Sequence, residues 1–274
     1  MLKNIFLLVM VLLSINVYSY TIIAPPGYSG AGTASGWEIW KKSQNGGTVY
    51  VQKIDVRQRA VTFVNNPKVG DTFPTFTIRN KFASFNSAFS MTNAAFFDNA
   101  KDGSGIGLSF PYRPSALLSK GWSTAGNESN IRVLSIGVIP PFSVNRAMVI
   151  PYSSDLLTST VHRYFVAGLS PYATSGKRPT QRIGRTFIGV KDNHFLYILN
   201  GDKLTTNEAR LNLMDFGLYD SDIVHFDGSA STQLSFKNSS GVITNFIGCE
   251  GDDPDSPRPP CTATRNIPQG ILVM

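Results

Sequence analysis

The chain has 274 residues, 42% of them hydrophobic and 11% aromatic, which excludes a disordered polymer and leaves ample apolar material for a core. A formal charge of +7 favours anionic partners but is weaker than a nucleic-acid binder usually shows, so no nucleic acid is expected.

In chain order, residues 1–19 read as a signal peptide. A lone cation, Lys3, precedes an apolar core from Ile5 to Val17, and cleavage is expected after Ser19. That core is shorter than the roughly 20 apolar residues of a membrane span, and no second long apolar run follows. The reading is an exported protein, secreted or periplasmic, without a stable membrane anchor; an uncleaved anchor is the alternative. Residues 20–44, rich in Gly, Ser and Pro, read as an extended arm carrying Trp37 and Trp40, and 45–274 as a single domain.

Within that domain, "TVYVQKIDV" and "AVTFV" predict an early antiparallel pair. Phe82, Phe85 and Phe89 fall at i, i+3 and i+7 and predict a helix near 81–91. Residues 99–130, punctuated by Gly, Ser and Pro, predict irregular structure, after which "RVLSIGVI" resumes a strand. "RTFIGV" and "HFLYIL" around "KDN" predict a hairpin. Thr205 with Glu208 forms a capping box opening a helix with Leu211, Met214 and Leu218 as its apolar stripe and Gly217 as its stop. Strands follow at "DIVHF", at the Thr232, Leu234, Phe236 alternation, at "GVITNF" and at "QGILVM". The fold class expected is α+β: a largely antiparallel mixed sheet core with a few flanking helices.

Cys249 and Cys261 bracket "EGDDPDSPRPP", a segment that suits neither helix nor central strand. In an oxidising compartment they are expected to form one disulfide, contributing about 3 kcal/mol in the chain-entropy model. No histidine stands near them at ligand spacing, so no metal site is expected there.

Among groups with chemistry, "DGSAS" lacks the Gly-x-Ser-x-Gly elbow of a serine hydrolase, and His162, His194 and His225 are scattered. His225 and Asp227 sit two apart on one strand face, a spacing that suits two metal ligands or a structural hydrogen bond. Asp227 followed by Gly-Ser-Ala-Ser has two readings. It is either an Asx-turn satisfying its own backbone, or a carboxylate beside a turn whose amides and hydroxyls (Ser229, Ser231, Thr232) converge on an anion or sugar.

Further blocks bear on that choice. Asn93-Ala94-Ala95-Phe96-Phe97-Asp98 comes first. Gly168, Pro171 and Gly176 follow, then Arg185-Thr186-Phe187-Ile188-Gly189, then Asp227-Gly228-Ser229-Ala230-Ser231-Thr232, and Arg265 before the terminal "GILVM". In this order the blocks resemble the phosphodiester glycosidase family over roughly 45–274. The chain departs from the family at Ala94 and Ala95 and at Ser229, each standing where the family tends to have glycine.

The resemblance implies hydrolysis of a sugar from a sugar 1-phosphodiester, with no cofactor and with metal dependence left open. It implies Asp98 and Asp227 as the carboxylates, with the base and the charge-stabilising role unassigned between them. Arg185 would hold the phosphate through its planar fork. Asn93, Phe96, Thr186, Gly228, Ser229, Ser231 and Thr232 would line the substrate, with Phe97 as a further apolar face. The alternatives are a non-catalytic phosphosugar-binding protein on the same scaffold, or a hydrolase of cell-envelope glycans linked by phosphodiesters.

Overall fold

The structure, a computed structural model, describes residues 23–67, 69, 72–99, 106–113, 130–138, 145–173, 178–249 and 265–274, with the side chains at 98, 99, 106 and 107 outside that description. The expected signal peptide and Cys261 fall outside these residues. In chain order the elements are β1 (Ser29–Ala34), β2 (Trp37–Gln44), β3 (Gly47–Asp55), β4 (Val61–Asn65), α1 (Ile78–Ala83), β5 (Ser90–Asn93), β6 (Phe97–Asn99) and β7 (Ile106–Leu108). Then come β8 (Tyr112–Arg113), β9 (Ile131–Val138), β10 (Asn145–Pro151), β11 (Phe165–Leu169), β12 (Ile183–Lys191) and β13 (Phe195–Leu204). The last are α2 (Thr206–Met214), β14 (Ile223–Phe226), β15 (Gln233–Lys237), β16 (Ile243–Ile247) and β17 (Gln269–Val273).

A ten-stranded sheet runs β1-β2-β3-β13-β12-β14-β11-β9-β10 with β8 against β11, and a five-stranded sheet runs β16-β15-β5-β17-β4. The pairings are antiparallel, and two helices flank them, so the fold is sheet-dominated rather than a balanced α+β. The two sheets face each other across Ile54, Ile188, Ile198 and Phe226 on one side and Phe63, Leu234, Phe236 and Ile271 on the other. Helix α2 covers the outer face of the large sheet through Ala209 and Leu213 against Phe187, Tyr197 and Leu199. Helix α1 covers the small sheet through Ile78 and Phe82 against Met91 and Leu272. Each such large side chain removed from water stabilises the fold by about 2 kcal/mol before entropy is counted.

The β12–β13 hairpin forms as the sequence predicts, with the three residues 192–194 between the paired Lys191 and Phe195, Asp192 and Asn193 both at positive φ (55° and 57°) and the His194 amide on the Lys191 carbonyl. Other expectations are corrected. β3 and β4 do not pair: β3 lies between β2 and β13 in the large sheet, while β4 pairs with β17 in the small one. Residues 29–44 are the outer strands of the large sheet, not a separate arm. Trp37 and Ile39 are buried between the sheets, and Trp40 packs on Phe216 at the α2 face.

The helix near 81–91 is instead the short α1. Thr77 caps its start, and its end is drawn into a turn by the Ser84 amide and hydroxyl, both bonded to the Lys81 carbonyl. The phenylalanine spacing therefore does not mark one face: Phe82 lies under α1, whereas Phe89 packs against Trp37 between the sheets. In α2 the capping box is present, but Leu211 is exposed, and Ala209, Asn212 and Leu213 face inward. Asn212 can be buried there because Tyr28 donates to its Oδ1 and its own Nδ2 donates to Gln44 and the Glu208 carbonyl.

Candidate functional site

The blocks 93–98 and 227–232, 134 residues apart, meet where the two sheets converge. The Asp227 amide donates to the Ala94 carbonyl at 3.2 Å, and Asn93 Nδ2 donates to the Asp227 carbonyl at 2.8 Å. This reciprocal clasp joins the end of β14 to the end of β5. The pairing of Thr186 with Phe226 sets the preceding Arg185 level with Asp227 at the same end of the large sheet.

Asn93 is a hub rather than a surface group, at 1% exposure. Its Oδ1 accepts from Thr186 Oγ1 (2.8 Å) and from the Gln233 amide (3.1 Å). Thr186 Oγ1 lies 3.3 Å from Thr232 Oγ1, Asn200 Nδ2 donates to Thr92 Oγ1 at 2.7 Å, and Thr92 Oγ1 donates to the Gln233 carbonyl at 3.0 Å. These side chains, each no more than 2% exposed, form a neutral polar seam across the junction of the sheets. Asn93, Thr186 and Thr232, read from the sequence as substrate contacts, are buried here and bonded to protein. They fix the position of the Asp227 loop. Thr92, Asn200 and Gln233 belong to the same seam and were not singled out. The available signal was an amide or hydroxyl inside an otherwise apolar strand, as in "YILNGD".

After the clasp, residues 229–231 make one 3-10 turn, closed by Ser231 and Thr232 amides on the carbonyls of Gly228 and Ser229. Ser229 has φ 60°, a left-handed conformation that a side chain makes costly. Gly228 packs so close to β12 that a Cβ would stand 2.7 Å from the Gly184 carbonyl oxygen, so only glycine fits without a shift. Ser231 is buried with Ala230, while Asp227 and Ser229 remain half-buried. Ala94 and Ala95 place no methyl in the left-handed region and pack into the core between the sheets. Of the three departures from glycine, Ser229 alone carries a backbone cost.

Arg185 is 1% exposed, and burial pulls its guanidinium down to about 10. Its Nε donates to the Leu204 carbonyl at 3.0 Å, and its Nη2 donates to the carbonyls of Arg178 (2.5 Å) and Gln181 (3.0 Å). Both two-point edges of a guanidinium use Nη2, so neither edge is left complete for a phosphate. The expected fork is committed to backbone, which ties the 178–181 segment to the end of β13.

Phe96, expected at the substrate, is core: it packs edge-on against Phe110 and against His225, which itself stacks on Phe187 at 4.4 Å. Asp98 lies in β6 opposite Gly107, and its side chain is outside the description. Phe97 is half-buried, with the Arg265 guanidinium over its ring at 5.1 Å. Cys249 is buried, and its amide donates to Asp202. Among the described residues no group of three or more His, Cys, Asp or Glu side chains is disposed to hold a metal, and no helix is long and apolar enough to cross a membrane.

No family model matches this sequence, and no curated protein does. Solved structures do. The catalytic domain of zebrafish N-acetylglucosamine-1-phosphodiester alpha-N-acetylglucosaminidase, auto-inhibited there by its pro-peptide, is similar at a TM-score of 0.54 and 14% identity, over 90% of this chain and 81% of that one. A hypothetical protein from Synechocystis is similar at 0.51 and 12% identity, over 91% of this chain and 64% of that one, so this chain spans under two thirds of its length. At these identities the likeness is one of fold alone: the chain shares the architecture of that catalytic domain.

Proposed function

We propose that this chain is an exported hydrolase that releases a sugar from a sugar 1-phosphodiester, with a sugar phosphate or a phosphodiester-linked envelope glycan as substrate. The observation that carries the reading is the clasp between Asn93-Ala94 and Asp227, which unites two blocks distant in sequence on a fold shared with an enzyme of that reaction. Water adds to the anomeric carbon as the bond from that carbon to the phosphate oxygen breaks. The leaving group is a phosphate monoester, already acidic, so its departure needs its charge met more than a proton supplied. One of Asp98 and Asp227 takes the proton from water, and the other faces the positive charge growing on the sugar. The Ser229 and Ala230 amides, which do not close the turn, face the same anion. Arg185 keeps the 178–181 segment and the end of β13 in place beside Asp227. A Cys249–Cys261 disulfide closing the segment between them belongs to the same proposal.

The test is incubation of the purified mature chain with a panel of sugar 1-phosphodiesters and nucleotide sugars, read as free sugar. Asp227→Asn and Asp98→Asn are each expected to lower release by about 100-fold or more. No release from any member of the panel overturns the hydrolase reading, and retained binding would then favour the non-catalytic phosphosugar-binding protein.

A further inference from the structure

Two arginines border the 93–98 and 227–232 blocks, and their guanidinium groups are used in opposite ways. Arg185 is buried with its hydrogen-bonding edges on three carbonyls. Arg265 is exposed, and its guanidinium carbon lies over the Phe97 ring at 5.1 Å from the centroid. A guanidinium over an aromatic face is held by the ring's quadrupole, a contact that engages none of its N–H groups with an oxygen acceptor of the protein. Among the described residues the Arg265 side chain makes no hydrogen bond or ion pair.

The backbone beneath it is held as firmly as that of Asp227, and by the same hub. Gln233, 2% exposed, donates from Nε2 to the Arg265 carbonyl at 2.6 Å and accepts at Oε1 from the Ile78 amide at 3.2 Å. The Gln233 amide donates to Asn93 Oδ1, and Asn93 Nδ2 donates to the Asp227 carbonyl. The chain before β17 also runs back along the 93–98 block. Gly270 pairs with Asn93, and the Ala95 amide donates to Gln269 Oε1 at 3.1 Å, which leads the preceding residues toward Phe97 and Asp98.

We infer that the Arg265 guanidinium, held over Phe97 and tied through Gln233 and Asn93 to the Asp227 loop, is the group that receives the anionic part of the ligand. The ligand class is a sugar phosphate, with the guanidinium edge on two non-bridging phosphate oxygens. This rests on the proposed site but concerns binding, so it is read without turnover.

The experiment titrates the full mature chain with N-acetylglucosamine 1-phosphate, and with N-acetylglucosamine as the neutral probe, by calorimetry. Arg265→Ala is expected to weaken the phosphorylated probe by about tenfold, one lost charge-assisted pair, with the neutral probe unchanged. Arg265→Lys, a point charge without the fork, is expected to recover only part of that loss. Lys41→Ala, an exposed cation on β2, serves as the control for overall charge and is expected to leave both affinities unchanged. Thermal melting of Arg265→Ala at the wild-type temperature confirms that the exposed substitution leaves the fold intact. Equal affinity in wild type and Arg265→Ala, an equal loss in Lys41→Ala, or no binding of the phosphorylated probe by wild type each overturns the inference. Binding that depends on Arg265 without sugar release from any phosphodiester would overturn the hydrolase reading and leave this one standing.

Discussion

The polar seam at the junction of the sheets and the polar network along α2 are both dense in hydrogen bonds, yet they are built from different chemistry. In the seam every member is neutral and buried: Thr92, Asn93, Thr186, Asn200, Thr232 and Gln233. Around α2, outside the neutral Asn212 cluster beneath the helix, the partners are ions. Arg182 meets Glu208 at 2.9 Å with the arginine side chain 57% exposed, and Arg210 meets Asp220 at 2.8 Å, with the Tyr172 hydroxyl on the same carboxylate. Water can replace a partner in the second region but not in the first. The chain thus uses amides and hydroxyls where loop geometry has to be held, and charges where solvent shares the load.

Removing the hub should produce the largest effect. Asn93→Ala removes the amide without overpacking the site, strands the buried Gln233 amide and takes a partner from the Asp227 carbonyl and the Thr186 hydroxyl. A loss of about 2–3 kcal/mol is expected, from the cost of leaving buried donors and acceptors unmade. Urea unfolding with an unchanged m-value measures it. A change below about 0.5 kcal/mol, the size of a surface effect, would erase the contrast between the two regions.

The sequence shows some of this and hides the rest for physical reasons. The β12–β13 hairpin, the capping box at Thr205 and the strands at "DIVHF" and "QGILVM" are legible because each depends on neighbours within a few residues. The division into two sheets is not legible, because only long-range pairing sends β3 to β13 and β4 to β17. The 81–91 helix fails because Ser84 offers the backbone a turn that the phenylalanine spacing does not register. At the site, the blocks that meet are visible from their order along the chain. What each side chain does there is not, since the same Asn or Arg serves a ligand or a carbonyl depending on burial. Asn93 and Arg185 both prove to serve carbonyls.

A smaller effect of opposite sign is expected at Ser229, the left-handed residue of the Asp227 turn. Ser229→Gly relieves the φ 60° conformation but lets the unfolded chain roam more widely, so the net gain should be about 0.5–1 kcal/mol in urea unfolding. A loss instead would mean that the serine hydroxyl holds the turn together and that the conformation is not a strain. Sugar release by the same variant sharpens the reading. If the turn is a ligand site, stability and activity should move in opposite directions, the pattern expected where strain is kept for function.

The smallest effect belongs to the charged region, and pH is the way to see it. Burial alone would raise the Glu208 carboxyl, but hydrogen bonds from Arg182, the Thr205 amide and Asn45 outweigh it and bring the group from 4.5 down to about 2. Because the folded value lies below the unfolded one, the stabilisation is fully present above about 4.5 and is lost as pH falls through about 2. Glu208→Gln keeps a side chain that can close the capping box, so it removes the charge and little else. At pH 7 it should cost a few tenths of a kcal/mol, as a pair shared with solvent does. The gap between wild type and variant in urea unfolding should then close as pH is lowered from 5 to 2. A gap that stays constant across that range would show that Glu208 acts through its hydrogen-bond geometry rather than its charge, and the two regions would then stabilise the fold by the same means.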